Sequence, residues 1–92
     1  MICSNDLIAA GFILECQASG LRVPKDVSVT GYNDSALAGA FEPPITSVDT
    51  PVDLHAQEVA RVLLAALRDK QPLPRVRLPT QLRVRGSTGP AP

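Results

Sequence analysis

Two amide–carboxylate pairs, Asn5-Asp6 and Asn33-Asp34, stand out as the residues best suited to chemistry in this chain. Each follows directly on a run that reads as a β-strand, Met1–Cys3 and Val27–Tyr32. Side-chain amides both accept and donate hydrogen bonds, and carboxylates accept them, so the set suits a ligand rich in hydroxyls. In open parallel sheets, ligands collect outside the carboxyl ends of the strands, where these four residues fall. The same residue types also cap helices and form turns, and position alone does not separate the two roles. Asp6 and Asp34 could serve as acid and base if they converged; binding hydroxyls or capping is the commoner use. The single histidine, His55, has Asp53 and Glu58 nearby but not at metal-binding spacing, and it flanks an apolar stripe. No GxSxG, HExxH, CxxC or phosphate-loop pattern occurs, and Gly31 is isolated. No catalytic residue, metal or cofactor is therefore expected.

The elements that must position these residues follow from local pattern. Ser4-Asn5-Asp6 offers N-cap oxygens for a helix over Leu7–Ala18, with Leu7, Ala10, Gly11, Leu14 and Ala18 on one face. Ile8, Phe12 and Ile13 widen its apolar surface, and Gly20 suits the left-handed position that closes a helix. Strand, helix and strand within about 30 residues make a βαβ unit, which forces parallel pairing. Ser35–Ala40 reads as a single helical turn, Phe41-Glu42-Pro43-Pro44 as a rigid loop and Ile45–Asp49 as a short strand. Thr50 is expected to cap a second long helix, with Pro51 in its first turn. Val52, Ala56, Val59, Ala60, Leu63, Leu64 and Leu67 form its broad apolar stripe. Burial of that stripe would make Leu63→Asp an unfolding substitution. Arg75–Leu78 and Gln81–Arg85 alternate like two short strands, and Gly86–Pro92 reads as a mobile tail.

Composition bounds what such a chain can be. It has 92 residues, 45% apolar and 3% aromatic, with nine Lys+Arg against nine Asp+Glu. That suits one small α/β domain with a core of Leu, Val, Ile and Ala, and excludes a disulfide scaffold and a membrane-spanning helix. Cys3 and Cys16 are expected as buried free thiols, which fits a reducing cytoplasm, and the N-terminus has no basic region of a secretory leader. The zero net charge hides an asymmetry: residues 1–60 carry −6 and residues 61–92 carry +6. No aromatic residue interleaves with Arg75, Arg77, Arg83 and Arg85, so no platform for stacking nucleic-acid bases is visible.

Taken in order, the motifs resemble one family. Ser4-Asn5-Asp6 with Ala9 and Gly11, then Gly20 through Val29, then Gly31-Tyr32-Asn33-Asp34, are similar to the lactose-repressor (LacI/GalR) family of bacterial transcription regulators. Pro43-Pro44-Ile45-Thr46-Ser47-Val48 with Pro51, then Leu78-Pro79, and Leu82, Val84, Arg85, Ser87 and Thr88 extend the likeness along nearly the whole chain. The resemblance implies a partial periplasmic-binding-protein-like (type I) α/β fold: a parallel sheet with flanking helices, truncated. Residues 1–85 would be the C-terminal part of an effector-binding domain and 86–92 a flexible tail. In that family two lobes enclose a ligand cleft, and strands cross between them.

The resemblance also implies roles. Asn5 matches a position that hydrogen-bonds effector hydroxyls. Asn33 stands where the family usually has an Asp doing the same; its amide accepts and also donates, without the charge. Thr50 stands where several members carry a longer Gln near the ligand. With Asp6 and Asp34 these make the expected ligand-binding set. Ala10, Ile13, Leu14, Leu37 and Phe41 match the family's dimerisation surface. The implied partners are a small-molecule effector of sugar type, a second copy of the parent chain, and DNA only through an N-terminal helix-turn-helix that nothing here resembles. The chain alone is expected not to bind operator DNA and to bind effector weakly or not at all. Two other readings remain: a fragment of a sugar-binding transport protein, or an inert remnant.

Overall fold

The computed structural model describes Met1 to Pro92 throughout. The elements, in order, are α1 (Asp6–Ala18), α2 (Ala36–Ala40), β1 (Ser47–Asp49), α3 (Val52–Asp69) and β2 (Gln81–Arg83). They fall into two units: Met1–Asp49 with Gln81–Pro92, and Thr50–Thr80.

In the first unit, three segments run parallel. Ile2 bridges Thr30, Thr30 bridges Thr46, and Asn33 bridges Asp49. Backbone bonds from Cys3 N to Thr30 O (2.9 Å), Gly31 N to Thr46 O (2.8 Å) and Asn33 N to Val48 O (3.0 Å) place residues 30–33 in the centre. The expected parallel order is therefore present. The pairing over Val27–Tyr32, however, consists of isolated bridges rather than a continuous strand. β2 adds antiparallel to β1, with Val48 opposite Leu82.

α1 begins as its sequence dictates: the Asn5 side chain accepts from Ile8 N at 2.9 Å. It ends in a Schellman motif. Gly20 takes φ +80°, its N–H bonds Gln17 O, and Leu21 N bonds Cys16 O. Its buried face is not the expected one. Asp6, Ala9, Ala10, Ile13 and Cys16 point inward, whereas Leu7 is 73% and Leu14 56% exposed. Because apolar residues surround this helix, the period fits two stripes. The buried one has two alanines, small enough to let the helix lie close to the sheet.

The core of this unit is Cys3, Ala9, Ala10, Ile13, Val29, Ala38 and Ile45, with Phe12, Val23, Leu37 and Phe41 packed against it. Both cysteines are buried and free, and burial pushes the Cys3 thiol up from its ordinary pKa.

Residues 86–92 do not form a free tail from Gly86 onward. Ser87 is fully buried. Its Oγ donates to Val29 O (2.6 Å) and accepts from Thr46 N (2.9 Å). Its backbone binds Val29 N and Pro44 O. Thr88 Oγ1 meets Thr46 Oγ1 at 2.7 Å, and Gly89 N donates to Ser28 Oγ at 3.1 Å. Polarity alone signals mobility, but Ser87 finds buried partners and Thr88 and Gly89 find partners nearer the surface.

The second unit is built on α3. Its cap differs from expectation: Pro51 is the N-cap residue, and no side chain, Thr50 included, caps the helix. Lys70 closes it in the left-handed conformation, φ +49°. Asp53 sits in the first turn and Arg68 in the last, as the helix dipole favours. Arg61 pairs with Glu58 along the surface. No residue of α3 is buried. The apolar stripe forms as the period predicts, but Leu63 is 44% exposed, so the expected burial of this position is wrong. Residues 71–80 contain no strand, contrary to the alternation over Arg75–Leu78. Pro72, Pro74 and Pro79 remove backbone donors there.

Candidate ligand-binding site

The rim at the C-terminal ends of the parallel segments is assembled from four elements of the first unit. Asn5 and Asp6 open α1. Residues 33–35 leave the central segment. Ser47 begins β1, and Arg85 follows β2.

Asn33 and Asp34 both adopt left-handed backbone, φ +94° and +51°. Such conformations are unfavourable for residues with a Cβ, though asparagine and aspartate tolerate them best. Three successive N–H groups are fixed in this turn. Asn33 N donates to Val48 O (3.0 Å), Asp34 N to Ser47 Oγ (3.0 Å) and Ser35 N to Asp6 Oδ2 (2.7 Å). Ser47 Oγ in turn donates to Asp6 Oδ1 at 2.6 Å. The side chains of Asp6 and Ser47 thus clamp the turn from below.

Asp6 is 2% exposed and its carboxylate is engaged on both oxygens. It cannot contact a ligand, which corrects its expected place in the binding set. Hydrogen bonds on both oxygens replace the water that burial removes. The approach also explains Gly31: a Cβ on that residue would lie 2.2 Å from Asp6 Oδ1. Asp34 is occupied as well. Its Oδ1 forms an ion pair with Arg85 at 2.7 Å, without an aligned hydrogen bond, and the two side chains are 16% and 25% exposed. Arg85 is itself held by Ile45 O and by Thr46 Oγ1 on its backbone N–H.

Two of the five expected ligand residues therefore keep free polar groups on this rim. Asn33 is exposed and its side chain makes no hydrogen bond within the chain. Asn5 uses Oδ1 to cap α1, which leaves its Nδ2 amide available to donate. Asn5 is thus both cap and candidate contact, so the two sequence readings are compatible. Thr50 opens the second unit, half-buried.

His55 Nε2 lies 3.2 Å from Pro79 O, a structural contact within its own unit, and no His, Cys, Asp or Glu cluster suits a metal ion. Of the expected interface residues, Leu14 is exposed and Leu37 and Phe41 are half-buried against the core. Ala10 and Ile13 are buried at 5% and 0%, inside the core rather than on a free surface. The residues that sequence reasoning missed are Ser35, Ser47 and Arg85. Ser47 carried a faint signal: it sits in a short strand between Ile45 and Val48, where a hydroxyl turned inward needs a partner.

Comparison with known proteins places this geometry. Residues 1–88 match the periplasmic binding protein-like domain. The chain is 42% identical over 85 residues to the HTH-type transcriptional regulator CelR of Thermobifida fusca, covering 91% of this chain and 25% of that protein. A solved CelR–cellobiose complex superposes with a TM-score of 0.83 at 41% identity, over 94% of this chain and 27% of that one. A dimeric Lac repressor with a C-terminal deletion superposes with a TM-score of 0.87 at 30% identity, over all of this chain and 34% of that one. The chain spans about a quarter of the length of the curated relatives it matches. With a family match over residues 1–88 and relatives 42% identical over nearly all of it, the chain belongs to the periplasmic binding protein-like domain family, as effector-binding domain sequence of the LacI type.

Proposed function

We propose that these residues are the ligand-binding and dimerisation portion of a sugar-responsive transcriptional repressor that acts in the cytoplasm. The observation that supports this most is Asn33: an exposed amide held in left-handed backbone by three consecutive N–H bonds, at the carboxyl end of the central parallel segment. A preset polar group there recognises hydroxyls without first losing conformational freedom. The likeness to a regulator solved with cellobiose supports a sugar as the ligand class. Self-association runs through the exposed face of α1, where Leu7 and Leu14 lie two turns apart, together with Leu37 and Phe41. Operator binding is assigned to a part of the parent protein other than these residues, whose net charge of zero gives no general attraction to a phosphate backbone.

The test is an NMR titration of the chain with cellobiose and, separately, ribose. One of them should shift the side-chain amide peaks of Asn5 and Asn33 with weak, millimolar-range affinity. Shifts confined to other amides, with Asn5 and Asn33 fixed, would refute the site, and peaks that stay fixed throughout for both sugars at tens of millimolar would refute binding by these residues on their own.

A further inference from the structure

We propose that Asp6 and Ser47 are positioning residues: a buried carboxylate–hydroxyl clamp that sets the Asn33 amide for ligand and makes no ligand contact itself. The inference rests on the reading of Asn33 as a ligand contact and adds what determines its geometry.

Neither residue can reach a ligand. Asp6 is 2% exposed and Ser47 is fully buried. Their bonds instead go to the backbone that carries Asn33. Ser47 Oγ takes the N–H of Asp34, and Asp6 Oδ2 takes the N–H of Ser35. The Ser47 hydroxyl proton is committed to Asp6 Oδ1, so its oxygen lone pairs are left to accept from Asp34. Asp6 therefore fixes the direction of the Ser47 hydroxyl, and both fix a turn that would otherwise relax from φ +94° and +51°. From the other side, Arg85 pairs with the Asp34 carboxylate. The turn is bonded at the backbone by one pair of side chains and at the Asp34 side chain by Arg85, while Asn33 and Ser35 remain exposed.

The arrangement predicts how the parts respond. With Ser47→Ala, Asp34 N–H and Asp6 Oδ1 each lose a partner, while Ser35 N–H keeps Asp6. With Asp6→Asn, the new Oδ1 can still accept from Ser35 N–H, but the new amide donates to Ser47 and leaves the hydroxyl proton without an acceptor. Ser47→Ala should therefore disturb Asp34 more than Ser35, and Asp6→Asn should disturb both less than Asp6→Ala.

The experiment has two arms on the full chain. Amide hydrogen exchange, with no ligand present, should show Asp34 accelerating in Ser47→Ala by at least about tenfold more than Ile13 and Val29, whose core amides report the global loss of stability. Cellobiose titration followed at the Asn33 side-chain amide should show the initial slope falling about tenfold in Ser47→Ala, the fold-change expected from losing one hydrogen bond of ordinary strength. In an Asn33→Ala background, Ser47→Ala should have no further effect on cellobiose shifts at Asn5, because its action passes through Asn33. Exchange at Asp34 that accelerates no more than at Ile13 and Val29, or a Ser47→Ala effect that adds fully to Asn33→Ala, would overturn the proposal. If the wild-type chain binds no cellobiose, the sugar reading fails, and the exchange arm still decides the clamp.

Discussion

Gly31→Ala provides the sharpest test of the packing beneath the rim. The added methyl would stand 2.2 Å from Asp6 Oδ1, 3.1 Å from Asp6 Cα and 3.2 Å from Asp6 Cγ. The carboxylate cannot swing aside without breaking a bond to Ser35 N or Ser47 Oγ. The Asp6 backbone cannot retreat easily either, because Asn5 and Asp6 begin α1. Overpacking of a buried site costs about 1–3 kcal/mol. Breaking one hydrogen bond to a charged group adds about 1.5–3 kcal/mol. The expected loss is therefore about 2.5–6 kcal/mol, against a total of about 5–14 kcal/mol for a domain of this length. With a urea slope of about 1–3 kcal/mol/M, the midpoint should fall by about 2 M. The assay should follow the amide peaks of Ile13 and Val29, which lie in the core, rather than helix ellipticity, to which α3 also contributes. Gly11→Ala is the control. No atom lies within 4 Å of a Cβ at that position, which sits inside α1, so the same substitution should stabilise by about 0.5–1 kcal/mol. Opposite signs at the two glycines support the close approach of Asp6. A Gly31→Ala midpoint within about 0.5 M of wild type would refute it.

Three further outcomes follow from the same structure. Ser87→Ala removes the partner of Thr46 N and of Val29 O in the buried interior, and should cost about 2–4 kcal/mol in urea unfolding. Leu63→Asp, at a position 44% exposed, should change stability by less than about 0.5 kcal/mol, and a large loss would show that the α3 stripe is covered in solution. The Arg22 side-chain bonds to Asp26, with help from the Arg22 backbone N–H, hold its carboxyl down at about 2. A depressed carboxyl pKa contributes stability at pH above the ordinary aspartate range, and that contribution fades as pH falls toward 2. Carboxyl NMR should give an Asp26 midpoint near 2, and Arg22→Ala should return it toward the ordinary value.

Local signals in the sequence are enough for the two long helices and for both ends of α1, though not for the cap of α3. Asn5 as N-cap, Gly20 as closing residue and the 18-residue span of α3 all follow from side-chain chemistry within a few positions. The parallel order also followed, because strand–helix–strand spacing permits little else. What failed depends on partners far along the chain. Asp6 reads as a ligand residue until Ser35 and Ser47, 29 and 41 positions away, are seen to occupy it. Ser87 reads as tail until Val29, 58 positions away, is seen to hold it. The inward face of α1 was ambiguous because apolar residues encircle the helix, and the sheet accepts the side bearing Ala9 and Ala10. The α3 stripe was read correctly as a pattern and wrongly as buried, since periodicity reports a face and not what covers it. In the proposed site, Asn33 and Asn5 stand on the rim that their place after the parallel segments predicts, Asn33 exposed and Asn5 half-buried. The clamp was not legible, because hydroxyl-to-carboxylate contacts across 41 residues leave no pattern in sequence.

The bonds from Ser87 and Gly89 back to Ser28 and Val29 also set a schedule for synthesis. Long-range closures make folding wait for the later partner. At ribosomal rates of about 5–20 residues per second, the 58 residues from Val29 to Ser87 take about 3–12 seconds to add. For that interval Val29 O, and for the last 41 residues of it Thr46 N, lack the group that later satisfies them, and the parallel segments remain open on that side. The nascent first unit is thus exposed to proteases and chaperones until its last dozen residues emerge. A premature stop before Ser87 should therefore lower the amount of protein in the cell more than it shortens the chain.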